Sequence, residues 1–231
     1  MADGMLLECT GLSLGYRAVP VVSGLDLSWS AGEGPLGITG PNGSGKSTFL
    51  KACLGLLRPL GGELKVLGSR PGTKIFRRNL RRIAWIPQQK DPGALRITVR
   101  ELVGLGRGAS VPPFGRFSAA DRKAIDEAMG LCRIGDLGSL AVQEISGGQY
   151  QRASIARALA TDAELLFLDE PTTFLDHDSR LGVRKVIEDI LKEGKVALAL
   201  VSHDAALFDL CSRLWYFFDG TVQATSPEAE R

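Results

Sequence analysis

Apolar residues along this chain fall into short runs that alternate with segments of helical periodicity. Leu25, Leu27 and Trp29 alternate with polar neighbours, which predicts a strand with one buried face. Residues 165–168 and 196–201 are unbroken apolar runs, typical of strands buried on both faces of a parallel sheet. Strands are therefore predicted at residues 6–8, 23–29, 36–39, 63–67, 83–86, 165–168 and 196–201, with a hairpin turn at Asp219-Gly220.

Helices are predicted where apolar residues recur every three or four positions. Thr98-x-x-Glu101 and Ser118-x-x-Asp121 are capping boxes that each mark a helix start, and Gly194 is placed to end a later helix. The predicted inner-face positions are Phe49, Leu50, Cys53, Leu54 and Leu57; Val99, Leu102 and Leu105; Ile125, Ala128 and Met129; and Val183, Val186, Ile187, Ile190 and Leu191. Residues 90–145 are thus a predicted helical lobe, inserted between α/β segments 1–89 and 146–231.

Composition narrows the class of protein. The 231 residues are 44% hydrophobic and 23% charged, which is ordinary for a globular domain with a sizeable core. No apolar run reaches the roughly 18 residues that a membrane helix needs, and the N-terminus lacks the basic and apolar stretches of a secretion signal. We therefore expect a soluble, cytoplasmic protein with reduced, buried thiols at its scattered cysteines, Cys9, Cys53, Cys132 and Cys211.

One basic cluster contains no acidic residue; it comprises Lys74, Arg77, Arg78, Arg81 and Arg82. A nucleic-acid patch would need interleaved aromatic residues and a strongly basic domain. The cluster has only Phe76, and the net charge of the chain is +2. We therefore favour a solvated face and expect no nucleic-acid partner.

A glycine-rich segment follows the predicted strand at 36–39 and precedes a predicted helix. It matches GxxxxGK[ST] in full, with the residues Gly40, Pro41, Asn42, Gly43, Ser44, Gly45, Lys46, Ser47 and Thr48. The glycines let backbone N–H groups converge on phosphate oxygens, and the helix start adds partial positive charge. Lys46 is placed to reach the β- and γ-phosphates, and the Ser47 hydroxyl to ligate Mg²⁺. The pattern predicts a nucleotide-binding loop rather than an ordinary glycine-rich turn.

An acidic pair follows the apolar run at 165–168. The carboxyl ends of strands in open α/β sheets are where ligands bind. Asp169 is therefore a candidate Mg²⁺ ligand, and Glu170 a candidate to polarise an attacking water. Taken alone, the pair could equally end a core strand; beside a phosphate-binding loop, the catalytic interpretation is favoured.

Ser146-Gly147-Gly148-Gln149 has the pattern of a capping box that opens a helix. Two glycines in a first helical turn are a poor choice for helix stability. We infer that the backbone is bare there so that a ligand can approach, with Ser146 and the helix start as an anion site. A merely glycine-rich helix start is the alternative, and the residues alone leave it open.

Together these motifs resemble the nucleotide-binding subunit of ABC transporters over nearly the whole chain. Gly40 to Thr48 resembles Walker A, residues 165–170 Walker B, and Ser146 to Gln149 the family signature. The resemblance implies one domain over residues 1–231, with an α/β P-loop NTPase core, a mainly parallel sheet, an N-terminal antiparallel β-subdomain and the helical subdomain at 90–145.

The resemblance also assigns single residues. Gln88 is similar to the Q-loop glutamine that contacts Mg²⁺ and the attacking water, and Asp176 to the D-loop aspartate at the dimer interface. His203 is similar to the switch histidine on the γ-phosphate; without the family, a strand-end histidine bonded to backbone would be favoured. Tyr16 is similar to the aromatic that stacks on adenine, against the alternative of a core aromatic.

For the whole protein, the resemblance implies an ATPase that uses ATP and Mg²⁺ in a head-to-tail dimer of two copies. It implies binding to an integral membrane permease on the inner face of the cell membrane, and to a substrate-binding protein if the transporter is an importer. Residues 97–107 resemble the segment seen in importers of metal ions, metal chelates and cobalamin. The alternatives are a soluble ABC ATPase of DNA repair or translation, and a nucleotide-sensing regulator.

Overall fold

The computed structural model describes residues 4–88, 96–108 and 116–225. The chain divides into two compact units, which are Met1–Ile83 with Ala197–Arg231, and Ala84–Val196. The second unit contains the predicted helical segment together with the strand at 165–169 and the helix that follows it. The boundaries 90–145 for a helical subdomain remain a prediction.

An antiparallel three-stranded sheet opens the first unit. Its strands are β1 (Met5–Tyr16), β2 (Val19–Ser30) and β4 (Gly61–Val66), in the order β2-β1-β4. Cys9 pairs with Leu27 on β2 and with Leu64 on β4, and the pairing of β1 with β2 shifts register three times beyond Cys9. The predicted N-terminal antiparallel sheet is confirmed, although β1 has 12 residues where the sequence predicted a strand only at residues 6–8.

Four more strands of the first unit lie in the order β7-β3-β8-β9. They are β3 (Leu36–Thr39), β7 (Ala197–Val201), β8 (Arg213–Phe218) and β9 (Thr221–Thr225). β3 is parallel to both β7 and β8, and β9 returns antiparallel to β8. Asp219 and Gly220 have φ values of 45° and 73°, so the turn predicted from the Asp-Gly pair is present.

Helix α1 (Lys46–Cys53) starts at the end of the glycine-rich loop after β3. Its Phe49 is fully buried, with its ring 5.8 Å from that of Trp215 and 5.6 Å from that of Phe217. Both partners lie on β8, so this aromatic packing fixes the start of α1 beside the sheet. The predicted inner face of α1 is confirmed at Phe49, Leu50 and Cys53, which are all buried. The prediction is wrong for Leu54 and Leu57, which lie beyond the last residue of α1 and are half-buried.

Two short helices complete the first unit, α2 (Lys74–Asn79) and α7 (Ala205–Phe208). Phe76 is the buried residue of α2. The predicted solvated face is confirmed for four of the five cations, because Lys74, Arg77, Arg78 and Arg81 are exposed and Arg82 is half-buried.

In the second unit, β5 (Ile83–Ile86), which enters this unit at Ala84, lies beside β6 (Leu165–Asp169). Its helices are α3 (Val99–Gly104), α4 (Ala119–Leu131), α5 (Gly147–Leu159) and α6 (His177–Glu193). The predicted capping boxes are present at Thr98, Ser118 and Ser146, and Gly194 ends α6 in the left-handed region with φ 61°. The described parts of the chain contain no helix long and apolar enough to cross a bilayer.

The helical prediction at Leu105 is also wrong. Leu105 was expected on the inner face of the helix that Thr98 opens, but α3 ends at Gly104 and the Leu105 side chain is 58% exposed. The chain tightens there because Gly106 lies against the α5 backbone, where a Cβ would come within 2.1 Å of the Arg157 carbonyl oxygen. Arg107 then holds the turn by donating to Asp121 and to the Ala160 carbonyl oxygen.

Candidate functional site

The loop from Gly40 to Gly45 joins β3 to α1 and depends on its glycines. Gly40, Gly43 and Gly45 have φ values of 133°, 82° and 109°, a region that other residues rarely adopt. A Cβ on Gly40 would lie 2.1 Å from the Phe217 carbonyl oxygen, so the loop also has no room for a side chain at its start. The loop conformation therefore requires the glycines of the predicted phosphate-binding motif.

Lys46 is the first residue of α1 and is buried beneath this loop. Its Nζ donates to the carbonyl oxygens of Gly40 at 2.5 Å and Pro41 at 2.9 Å. Ser44 Oγ is also buried and has no hydrogen-bond partner in the described part of the chain. A buried ammonium group and a hydroxyl without a partner among the described residues, both at a helix start, are suited to bind an anion such as phosphate.

Two further predicted residues lie in the first unit, Tyr16 and His203. Tyr16 ends β1 with 46% of its surface exposed, which rules out the alternative of a core aromatic. The Lys51 ammonium lies 5.9 Å from the centroid of its ring. His203 is exposed and follows the buried Ser202, whose hydroxyl accepts a hydrogen bond from the Asp204 N–H and so shapes the turn after β7.

The predicted acidic pair lies at the end of β6 in the second unit. Asp169 is the last residue of the strand, and Glu170 follows with φ 51°. Thr173 Oγ1 donates to Glu170 Oε2 at 2.8 Å. Gln88 lies two residues beyond β5, the neighbour of β6, and its side chain is exposed. Sequence reasoning missed Thr173, since a hydroxyl three residues after a glutamate carries no distinctive pattern.

The predicted signature segment begins α5. Ser146 Oγ accepts from the Gln149 N–H at 3.2 Å, and the Ser146 N–H donates to Gln149 Oε1 at 2.7 Å. Ser146 and Gly147 are exposed, whereas Gly148 is buried. The capping box is therefore as predicted, with the serine hydroxyl at the surface.

The two signature glycines have different surroundings. A Cβ on Gly147 would meet only Leu175 Cδ2, at an ordinary 3.6 Å, among the described residues outside the helix. A Cβ on Gly148 would lie 2.4 Å from Ser179 Oγ and 2.5 Å from Ser179 Cβ, in the first turn of α6. Packing inside the subunit therefore accounts for glycine at position 148, whereas no contact among the described residues requires glycine at position 147. The anion site at this helix start stays a prediction.

Asp176, predicted in the D-loop, is the N-cap of α6. Its carboxylate accepts from the Ser179 N–H and from Ser179 Oγ, both at 2.9 Å. These hydrogen bonds lower the pKa of Asp176, and the bond from the Ser179 backbone N–H has the largest effect. Asp176 therefore stabilises the same turn of α6 against which Gly148 packs.

A strand, a glycine-dependent loop and a helix that begins with a buried lysine define the phosphate-binding loop of P-loop proteins. The model of the ABC transporter family matches residues 22–173, which is more than half of the chain. The chain therefore belongs to the ABC transporter family.

Known proteins support the same placement. The high-affinity zinc uptake system ATP-binding protein ZnuC of Bacillus subtilis (strain 168) is 35% identical over 201 residues, 86% of this chain and 84% of that protein. The manganese transport system ATP-binding protein MntB of Halalkalibacterium halodurans is 37% identical over 201 residues, which cover 86% of this chain and 77% of that protein. The structure of CbiO1 from Clostridium perfringens matches with a TM-score of 0.87 at 23% identity, over 99% of this chain and 91% of that one, and confirms the predicted fold.

Proposed function

We propose that this chain binds and hydrolyses ATP as the nucleotide-binding subunit of an ABC transporter. The observation that carries the proposal is the loop from Gly40 to Gly45, with Lys46 buried beneath it and the Ser44 hydroxyl unpartnered within the described residues. The relatives are named as ATP-binding proteins of transport systems, which supports the same conclusion.

In this proposal, Gly40 to Thr48 hold the phosphates. Their charge is met by backbone N–H groups, the start of α1 and the Lys46 ammonium group. Ser47, Gln88 and Asp169 would hold Mg²⁺, because hydroxyl, amide and carboxylate oxygens are the hard ligands that this ion takes. When bound, Mg²⁺ would neutralise charge that develops on the phosphate oxygens.

Glu170 would act on the attacking water. The water oxygen bonds to the γ-phosphorus, the bond from that phosphorus to the β–γ bridging oxygen breaks, and the water proton passes to the Glu170 carboxylate. His203 would contact the γ-phosphate. Tyr16 would stack on adenine, for which its 46% exposure at the end of β1 leaves its ring available.

The ATP site would be completed by a second copy of the chain. Ser146 to Gln149 of one copy would meet the γ-phosphate held by the other, in an isologous dimer with two equivalent sites. The exposed Ser146 and the open surroundings of Gly147 support this role, and Asp176 would lie at the same interface. ATP would then favour the closed dimer and hydrolysis the open one.

The membrane partner would be a separate permease. Two relatives are named for zinc uptake and manganese transport. Their names agree with the expectation, from residues 97–107, of an importer of metal ions, metal chelates or cobalamin. We therefore propose uptake of a metal ion or metal chelate, with a substrate-binding protein as an additional partner. The chain would act in the cytoplasm, on the inner face of the cell membrane.

Two substitutions test the ATPase proposal. Glu170→Gln should still bind ATP but accumulate a dimer with ATP and Mg²⁺ in gel filtration, because the bridging γ-phosphate is no longer removed. Lys46→Ala should weaken ATP binding in calorimetry by about tenfold or more, because a charged hydrogen-bond donor is lost. Lys74→Ala, which removes an exposed charge from α2 of the same unit, is the matched control and should bind as the unmodified protein does.

Unchanged ATP affinity of Lys46→Ala would contradict the assignment of the loop. A Glu170→Gln protein that stays monomeric with ATP would contradict the dimer. The membrane proteins that co-purify with the chain would identify its permease, and their absence together with bound nucleic acid would favour a soluble ABC ATPase instead.

A further inference from the structure

The carboxylate proposed to act on water is attached to an unusual piece of backbone. Glu170 follows directly after β6 with φ 51°, a left-handed conformation that residues with a side chain rarely adopt. Such a conformation persists only where the surrounding structure holds it, and it is concentrated at functional sites. The contacts that hold Glu170 are therefore of functional interest.

Thr173 makes two of these contacts. Its N–H donates to the Glu170 carbonyl oxygen at 3.3 Å, which closes the turn, and its Oγ1 donates to Glu170 Oε2 at 2.8 Å. The turn is itself anchored, because Thr172 is only 3% exposed and its carbonyl oxygen accepts from the Leu175 N–H at 3.3 Å. One residue on a held turn thus constrains both the backbone and the side chain of Glu170.

We propose that Thr173 is a positioning residue for Glu170, an inference that rests on the ATPase function proposed above. A glutamate side chain has several rotatable bonds, and only some of its rotamers bring a carboxylate oxygen to a water in line with the γ-phosphorus. The Thr173 hydroxyl selects among these rotamers before nucleotide arrives. Because a misplacement of about 1 Å can reduce a rate up to about 100-fold, the loss of this bond should slow the chemical step.

The alternative is that the hydroxyl only stabilises the turn. Two substitutions separate the possibilities. Thr173→Val keeps the side-chain volume and the N–H bond to Glu170 but removes the donor. Thr173→Ser keeps the donor and removes a methyl group. If the hydroxyl positions Glu170, the rate of hydrolysis should depend on whether the variant keeps the donor. If the hydroxyl only stabilises the turn, the rate should change in step with the thermal stability of the protein.

The test is steady-state ATP hydrolysis by the full chain with Mg²⁺, together with thermal unfolding. Thr173→Val should lower kcat about tenfold, the size expected for one hydrogen bond to a charged group, and should leave KM within about twofold. Thr173→Ser should keep most of the kcat of the unmodified protein. In a Glu170→Gln background, Thr173→Val should change the residual rate by less than about twofold, because the group that it positions is already absent.

The inference would be overturned by full kcat in Thr173→Val, by an equal loss in Thr173→Ser, or by an undiminished Thr173→Val effect in the Glu170→Gln background. A loss of kcat that merely parallels a fall in the unfolding temperature would do so as well. Failure of the ATPase proposal is a different result, in which the unmodified protein hydrolyses no more ATP than Lys46→Ala.

Discussion

The adjacent glycines of the signature segment should respond to alanine in opposite directions. Both occupy helical positions at the start of α5, and neither has a positive φ, so alanine can adopt either backbone conformation. At Gly147 the new methyl group would lie 3.6 Å from Leu175 Cδ2, an ordinary contact. At Gly148 it would lie 2.5 Å from Ser179 Cβ, which is closer than two carbon atoms can pack.

The sizes follow from helix propensity and overpacking. Gly→Ala in a helix contributes up to about 1 kcal/mol, and less in a first turn, so Gly147→Ala should stabilise by roughly 0.5 kcal/mol. Overpacking at Gly148 should cost about 1–3 kcal/mol. Ser179 cannot move away cheaply, because its N–H and hydroxyl both donate to Asp176, and a lost N-cap costs about 1 kcal/mol more. We expect a net loss of about 2 kcal/mol for Gly148→Ala.

Thermal unfolding followed by circular dichroism measures both changes. For a chain of this length, about 1 kcal/mol shifts Tm by roughly 2–4 °C. Gly147→Ala should therefore raise Tm by about 1–2 °C, and Gly148→Ala should lower it by about 4–8 °C. The control is Gly148→Ala combined with Ser179→Gly, which removes the opposing Cβ; the two changes should then cost less together than the sum of their separate effects.

The reasoning would be refuted if Gly148→Ala were as stable as Gly147→Ala, or if the double variant showed no coupling. Gly147→Ala has a second use, because its fold should be intact. If the Gly147 surface receives nucleotide held by another copy, the added methyl group should weaken the ATP-dependent dimer formed by Glu170→Gln. An unimpaired dimer would mean that the bare backbone at Gly147 has no role in binding.

Two further predictions concern titratable groups. The Ser118 hydroxyl and N–H, with the Arg107 guanidinium, lower the pKa of Asp121 from 3.8 to about 2. The ionised carboxylate of Asp121 therefore contributes fully to stability above about pH 4, and this contribution is lost as the pH falls toward 2. The difference in Tm between the unmodified protein and Asp121→Asn should narrow over that range. A constant difference in Tm would contradict the prediction. Burial raises the pKa of Cys9 and Cys211 to about 12 and also raises that of Cys53 and Cys132, so a thiol reagent should label the protein only after denaturation. Rapid labelling of the native protein at neutral pH would refute this.

Much of the fold could be predicted because its signals are local. A capping box places a hydroxyl and a carboxylate three residues apart, and this spacing alone satisfies the N–H groups at a helix start, as at Thr98 and Ser118. The apolar run that became β6 and the Asp-Gly turn before β9 are local in the same sense. The glycine-rich loop could also be predicted from the sequence, because its backbone conformations require glycine whatever the surrounding structure is.

The contacts between distant segments were decided only by tertiary structure. Gly147 and Gly148 are indistinguishable in sequence, yet only Gly148 lies against Ser179, thirty-one positions further along the chain. Tyr16 on β1 could have been buried or exposed, because an alternating strand has two faces and the cover on each face comes from elsewhere in the chain.

The motifs by themselves predicted which residues would carry the chemistry, since phosphate binding requires particular residue types at a particular spacing along the chain. They did not determine what holds those residues in place. The bond from Thr173 to Glu170 depends on a left-handed turn after β6. No local pattern specifies that conformation, because it is unfavourable for the residue that adopts it and is held by the structure around it.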